Sequence, residues 1–115
     1  MPTITPLTIL VTNDGMGQAE PVLRHKLAKS YFTLLTDVKP LPGVIAFYTE
    51  GVRLVCSGSP VLDELKTLES KGVRLVICKT CLDHFGLRDA VEVGIVGGMT
   101  DILEAQLQAD KVVTI

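Results

Sequence analysis

Val73-Arg74-Leu75-Val76-Ile77-Cys78-Lys79-Thr80-Cys81-Leu82-Asp83-His84-Phe85-Gly86 is the stretch that decides the fold. Its first six residues are aliphatic or sulfur-bearing apart from Arg74. Such a near-continuous apolar run suits a strand covered on both faces of its sheet. A short helical stretch follows through Phe85, and Gly86 ends it. Just upstream, Ser59-Pro60 reads as a helix opening, a serine cap with proline in the first helical position. Val61/Leu62, Leu65 and Leu68 make the apolar stripe of that helix. Asp63 and Glu64 complement its positive end, and Lys71-Gly72 supply the stop.

The same alternation extends outward in both directions. Towards the N-terminus, two early prolines predict an extended or loosely ordered segment over 1–6. Leu7-Thr8-Ile9-Leu10-Val11-Thr12 is then β-prone and is stopped by Asn13-Asp14-Gly15. From about Ala19 the period lengthens. Leu23, Leu27, Tyr31 and Leu34/Leu35 predict an amphipathic helix, closed by Pro40-Leu41-Pro42-Gly43. Val44–Tyr48 reads as a strand, and Val52–Cys56 after the Glu50-Gly51 turn as either a further strand hairpin-paired with it or a helical turn. Towards the C-terminus, Val91–Val96 is expected to be a strand broken by Gly97-Gly98. Thr100 or Asp101 caps a last helix over Ile102, Leu103 and Leu107, and Lys111–Ile115 closes as a strand. Strands alternating with helical patterns imply an α/β sandwich with a mainly parallel sheet and right-handed crossovers.

At 115 residues the chain accommodates one domain, 1–115, with no repeat, linker or low-complexity segment. A net charge of -2, without basic clusters or interleaved aromatics, argues against nucleic acid as a partner. No apolar stretch approaches the roughly 18 residues that span a bilayer, and no secretory leader pattern is present. The expected location is the cytoplasm. Three cysteines cannot all pair with one another, so thiols here are core filler, metal ligands or reactive groups.

In open parallel sheets ligands sit beyond the carboxyl ends of the strands. Three segments are predicted there: Asn13-Asp14-Gly15-Met16-Gly17, Cys78-Lys79-Thr80-Cys81 and Gly97-Gly98-Met99-Thr100. Cys78 ends a strand and Cys81 falls in the first helical turn, where free N–H groups favour a thiolate. Lys79 adds positive charge. The Cys-x-x-Cys spacing lets one sulfur attack a bond formed on the other. Cys56 has no such context and reads as core. Cys78, Cys81 and His84 are three of the four ligands a structural zinc needs, the fourth having to come from elsewhere. His84 is otherwise a surface or helix-end residue. Asn13–Gly17 matches neither the dinucleotide nor the Walker pattern, and a turn with a helix cap is the simpler reading. Thr100 and Asp101 are likewise read as a cap. The functional alternative to cysteine chemistry is a binding module in which the three loops hold a small ligand or a protein without turnover.

Several phrases resemble the DsrE-like C-terminal domain of YedF proteins. They are Thr12-Asn13-Asp14-Gly15-Met16-Gly17, Phe47-Tyr48 with Gly51-Val52, Gly58-Ser59-Pro60-Val61-Leu62, Gly72-Val73 leading to Cys78-Lys79-Thr80-Cys81-Leu82, Gly86-Leu87, and Ala109-Asp110-Lys111-Val112. The matches run in order over nearly the whole chain. The resemblance implies a three-layer α/β/α sandwich with a mainly parallel sheet of about five strands, assembling as a homo-oligomer, trimer or hexamer. It implies a sulfur-relay protein that carries a persulfide, or acts as a sulfurtransferase, through a strand-end cysteine eight residues before a glycine. Cys78 stands eight before Gly86, with Cys81 as resolving or second acceptor thiol. Asn13, Asp14, Gly15, Lys79, Thr80, Gly97 and Gly98 would shape the substrate pocket. No cofactor or metal is implied. YedF proteins usually carry a TusA/SirA-like domain ahead of this one. Here a TusA-like donor or acceptor would be a separate chain. The branch is associated by name with selenium metabolism.

Overall fold

The computed structural model describes residues 3–115 and forms one five-stranded sheet, every strand parallel. Its strands are β1 (Ile4–Val11), β2 (Leu41–Phe47), β3 (Arg74–Cys78), β4 (Ile95–Gly97) and β5 (Lys111–Thr114), in the spatial order β4-β3-β2-β1-β5. The helices are α1 (Pro21–Leu35), α2 (Leu62–Ser70), α3 (Lys79–Phe85) and α4 (Met99–Gln108). Steps from β1 through β4 all run one way across the sheet, so right-handed crossovers put α1, α2 and α3 on one face. The return from β4 to β5 crosses back over the other face and carries α4 alone, against β1, β3 and β4.

Alternation along the strands divides the core accordingly. Ile9, Val11, Ile45, Phe47, Leu75 and Ile77 meet Ala28 and Phe32 of α1 and Leu65 and Leu68 of α2, all buried. Leu10, Ala46 and Val76 lie under Ile102 and Ala105 of α4. On that side the buried Thr8 hydroxyl donates to the Ala105 carbonyl at 3.1 Å, which fixes α4 over β1.

Several expectations need correction. Of the two readings of Val52–Cys56 the helical turn holds and the hairpin strand does not: Thr49–Val55 forms a 3₁₀ segment, and Cys56 makes only an isolated antiparallel bridge to Val91. Gly51, Val52, Leu54 and Val55 are all buried, because this segment arches across the carboxyl edge of the sheet and is covered from more than one side. The strand expected over Val91–Val96 begins only at Ile95. Gly94, at φ +88, turns the chain, and Ile77 Cδ1 would stand 2.8 Å from a Cβ there. Gly97 belongs to β4 instead of breaking it, and Gly98 caps α4. The cap residue is therefore neither Thr100 nor Asp101; Asp101 reaches back from the third helical position to accept the Gly98 N–H at 2.9 Å. Helix α2 starts at Leu62, so Pro60 precedes it, while the Ser59 hydroxyl accepts the Val61 N–H. In α1 the buried residues are Ala28, Phe32 and Leu35; Leu23, Leu27 and Leu34 are exposed. Of the segment over 1–6, Ile4 to Pro6 already belong to β1, while Met1 and Pro2 lie outside the described residues.

Candidate functional site

Strand β3 ends on Cys78 and α3 begins on Lys79, with no intervening loop. Cys78, the cap residue of α3, is 1% exposed. Three residues on, Cys81 is half-buried on the first turn of α3. Its Sγ accepts a hydrogen bond from the Thr49 backbone N–H at 3.1 Å. Burial pushes the Cys81 thiol up, the Thr49 N–H pulls it down, and the neighbouring Cys78 thiol pushes it up again; the net direction is up. The pair thus sets one thiol sealed in the core beside one that reaches the surface next to a fixed N–H donor. Cys56 is buried as expected, donating to the Val52 carbonyl, and burial raises it too, although Arg53 nearby opposes this.

Thr49 is the site residue that the sequence pattern did not reveal. It is the one described non-glycine residue with positive φ, at 50°, a conformation that β-branched side chains rarely adopt. Its hydroxyl lies 2.5 Å from the Thr12 carbonyl oxygen and 2.6 Å from that of Tyr48. Behind it, the Tyr48 N–H donates to the Val11 carbonyl. Thr49 therefore joins the ends of β1 and β2 to the cysteine on α3. The available signal was the Gly51 that follows, since a residue without Cβ marks close backbone approach. Further along the arch, Arg53 stacks on the Phe85 ring, 4.6 Å from its centroid, and pairs with Glu50, which holds the arch against α3.

The loop Asn13–Gly17 is folded on itself. The Asn13 side chain accepts from the Asp14 N–H and donates to the Gly17 carbonyl. Gly15, at φ +128, approaches so near to α1 that a Cβ would stand 2.5 Å from Arg24 Cβ. Arg24 donates to the Asp14 carbonyl, and Asp14 pairs with His25 at 3.2 Å. The N-terminus of α1 is capped by the Glu20 carboxylate, which accepts from the Val22 and Leu23 N–H groups and so occupies the place of an anion. These contacts make the segment a turn, and the cap of α1 is Glu20, outside it.

Gly97 is registered opposite Cys78 in the β3–β4 pair, so it is part of the same edge; a Cβ on it would stand 2.8 Å from Asp101 Oδ2. Lys79 and Thr80 are exposed on α3, and His84 sits in its last turn, edge-on to Phe85. Among the described residues no three His, Cys, Asp or Glu side chains are grouped to hold a metal ion, so Cys78, Cys81 and His84 do not form a partial zinc set. Two surface clefts lie elsewhere. One of about 420 Å³ is at the opposite end of the strands, beside Thr36, Leu41 and Lys71; the other, about 170 Å³, lies between the sheet and α4 near Thr8 and Glu104.

An all-parallel five-stranded sheet with helices on both faces defines an α/β fold class, and comparison with known proteins agrees on that fold. The model of the DsrE/DsrF-like family matches residues 7–115, and the chain belongs to that family. Among solved structures it is similar to the crystal structure of YchN from E. coli, with a TM-score of 0.68 and 20% identity over 100% of both chains. It is also similar to MTH1491 from Methanobacterium thermoautotrophicum, a protein described as of unknown function. There the TM-score is 0.66 at 17% identity over 98% of this chain and 99% of that one. At these identities the likeness speaks for the fold. A search among curated proteins finds no match.

Proposed function

We propose that the protein is a cytoplasmic sulfur-relay subunit of the YedF-like branch, carrying sulfane sulfur as a persulfide on the Cys78–Cys81 pair. The observation that supports this is the juxtaposition of a core cysteine at the end of β3 with a surface cysteine on α3. A donor persulfide, such as that of a TusA-like protein, meets Cys81 first, because Cys78 is sealed from solvent. The Cys81 thiolate attacks the donor's outer sulfur; the new S–S bond forms, the donor's S–S bond breaks, and the donor leaves as a thiolate. Cys78, deprotonated, takes the same sulfur from Cys81 by an identical exchange, with no net oxidation or reduction. Release follows when the Cys81 thiolate attacks the inner sulfur of the Cys78 persulfide. A Cys78–Cys81 disulfide forms and hydrosulfide leaves, the sulfane sulfur having gained the two electrons the cysteines lost. A small-molecule thiol then reduces the disulfide. The working unit is a homo-oligomer, trimer or hexamer, and the cargo is sulfur or its selenium counterpart.

The test is intact mass after incubation with a sulfane-sulfur donor, beside the Cys78→Ser and Cys81→Ser variants. A reducible gain of about one sulfur atom that disappears in Cys81→Ser, and that in Cys78→Ser stays on Cys81 without release of hydrosulfide, establishes the carrier and its two steps. Loading that survives in Cys81→Ser shows instead that Cys78 takes sulfur from the donor directly.

The 1% exposure of Cys78 favours a second reading, since buried structural cysteines are inert. In it the family fold serves as a binding module, and the cysteines are packing. No mass gain in any sample, where a control protein loads, selects that reading.

A further inference from the structure

The cysteine pair has one feature that a packing role does not need: a strained residue on a different element aims a backbone donor at the exposed sulfur. We infer that Thr49 is the positioning residue of the site, its hydroxyl tether to Thr12 holding the N–H of the arch on Cys81 Sγ. This deepens the relay proposal, because it names the group that lets Cys81 carry charge during exchange.

Three observations meet at this residue. Thr49 has φ 50°, in the left-handed region where a β-branched side chain is a genuine outlier. Such a conformation persists only where the surroundings over-determine it. Here the hydroxyl at 2.5 Å from the Thr12 carbonyl and the Tyr48 N–H on the Val11 carbonyl supply that restraint. The N–H so displayed meets the sulfur at 3.1 Å. A hydrogen bond to an ionised acceptor is stronger than one to a neutral acceptor. The contact therefore gains strength when Cys81 becomes a thiolate, as attacking group or as leaving group. No positive side chain is needed for this, and Lys79, the nearest in sequence, is exposed. The other group acting on the sulfur is the Cys78 thiol at the end of β3, while Glu50 and Arg53 of the arch pair with each other and Arg53 lies over the Phe85 ring.

The experiment measures the pH dependence of Cys81 alkylation by iodoacetamide in the full chain, with the modified site assigned by peptide mass. Thr49→Ser keeps both the hydroxyl and the amide and is expected to match the parent. Thr49→Val keeps the shape and loses the tether; the backbone relaxes from positive φ and withdraws the N–H. Alkylation of Cys81 at neutral pH is then expected to slow about tenfold, its midpoint moving upward. If Thr49→Val fails to fold by circular dichroism, Thr49→Gly carries the test: it is unstrained there but also untethered, and about a threefold slowing is expected. A folded Thr49→Val or Thr49→Gly with the parent's Cys81 profile overturns the inference. A purely structural role is recognised by a lowered melting temperature with that profile unmoved. Absence of sulfur loading on the parent refutes the relay while leaving this alkylation test intact. Normal loading with an unmoved profile refutes Thr49 alone.

Discussion

Gly51 rests directly on the carbonyl of Val11: a Cβ at this position would stand 2.1 Å from that oxygen and 2.7 Å from its carbon. This contact seats the whole arch, because the Gly51 N–H also closes the turn onto the Tyr48 carbonyl. Thr49 lies between them. Gly51→Ala is expected to force the arch off β1, costing about 1–3 kcal/mol as overpacking does. Urea denaturation measures it, and a variant as stable as the parent would show the approach to be less constrained than described.

Thr8 is the buried polar residue of β1, and its hydroxyl serves only the Ala105 carbonyl of α4. Thr8→Val keeps the shape and removes the donor. The expected loss is about 1 kcal/mol, read from the shift in denaturant midpoint at unchanged slope.

The buried face of α1 yields a paired prediction. Phe32 is fully buried, so Phe32→Ala should cost about 3–5 kcal/mol. Leu34 is 71% exposed, so Leu34→Ser should stay within about 0.5 kcal/mol. Equal effects on thermal unfolding would contradict the helix rotation described above.

Stability should fall on both sides of neutrality, with different groups responsible. Burial raises both Cys56 and Cys81 in the folded chain. Their contribution is fully present below the ordinary thiol pKa of about 8.5 and is lost as pH rises through the higher folded values. Cys81→Ala should flatten the alkaline limb of a stability-against-pH curve.

On the acid side, burial alone would raise Glu64, but the Lys29 ammonium 2.8 Å away overrides it, and the carboxyl sits below its ordinary value. That contribution is present above the unfolded pKa of about 4.3 and is lost as pH falls through the lower folded value. Lys29 is half exposed, so Lys29→Ala should remove no more than about 1 kcal/mol at neutral pH, and very little in acid.

Much of this arrangement was legible from residue patterns. The apolar runs at Leu7–Val11 and Val73–Cys78, each interrupted once, by Thr8 and by Arg74, suit a doubly covered sheet, and both strands are there. Gly86 ends α3 in the left-handed conformation its position implied, at φ 67. The errors have local causes. Val52-Arg53-Leu54-Val55-Cys56 has the composition of a strand, but its place over the sheet edge favours a tight helix, and tertiary burial overrides propensity. Leu23, Leu27 and Leu34 mimic a buried stripe, while the smaller Ala28 and the aromatic Phe32 make the actual contact. Helix α4 shows the same inversion: Leu103 and Leu107 are exposed beside buried Ile102 and Ala105. The Cys78–Cys81 pair was visible in one local segment. Thr49 was not, because its role arises from three segments that meet only in the folded chain.

The strand order has a consequence for how the chain must come together. β1 lies between β2 and β5, with Leu7 registered on Lys111 and Leu10 on Thr114. During synthesis the first strand leaves the ribosome early, yet one of its edges stays open until the last strand has emerged. A nascent chain can assemble β1 through β4 and the cysteine edge first, but it cannot close the sheet. Folding of this protein should therefore finish only after β5 is free, with the exposed edge of β1 the place where a chaperone would have most to protect.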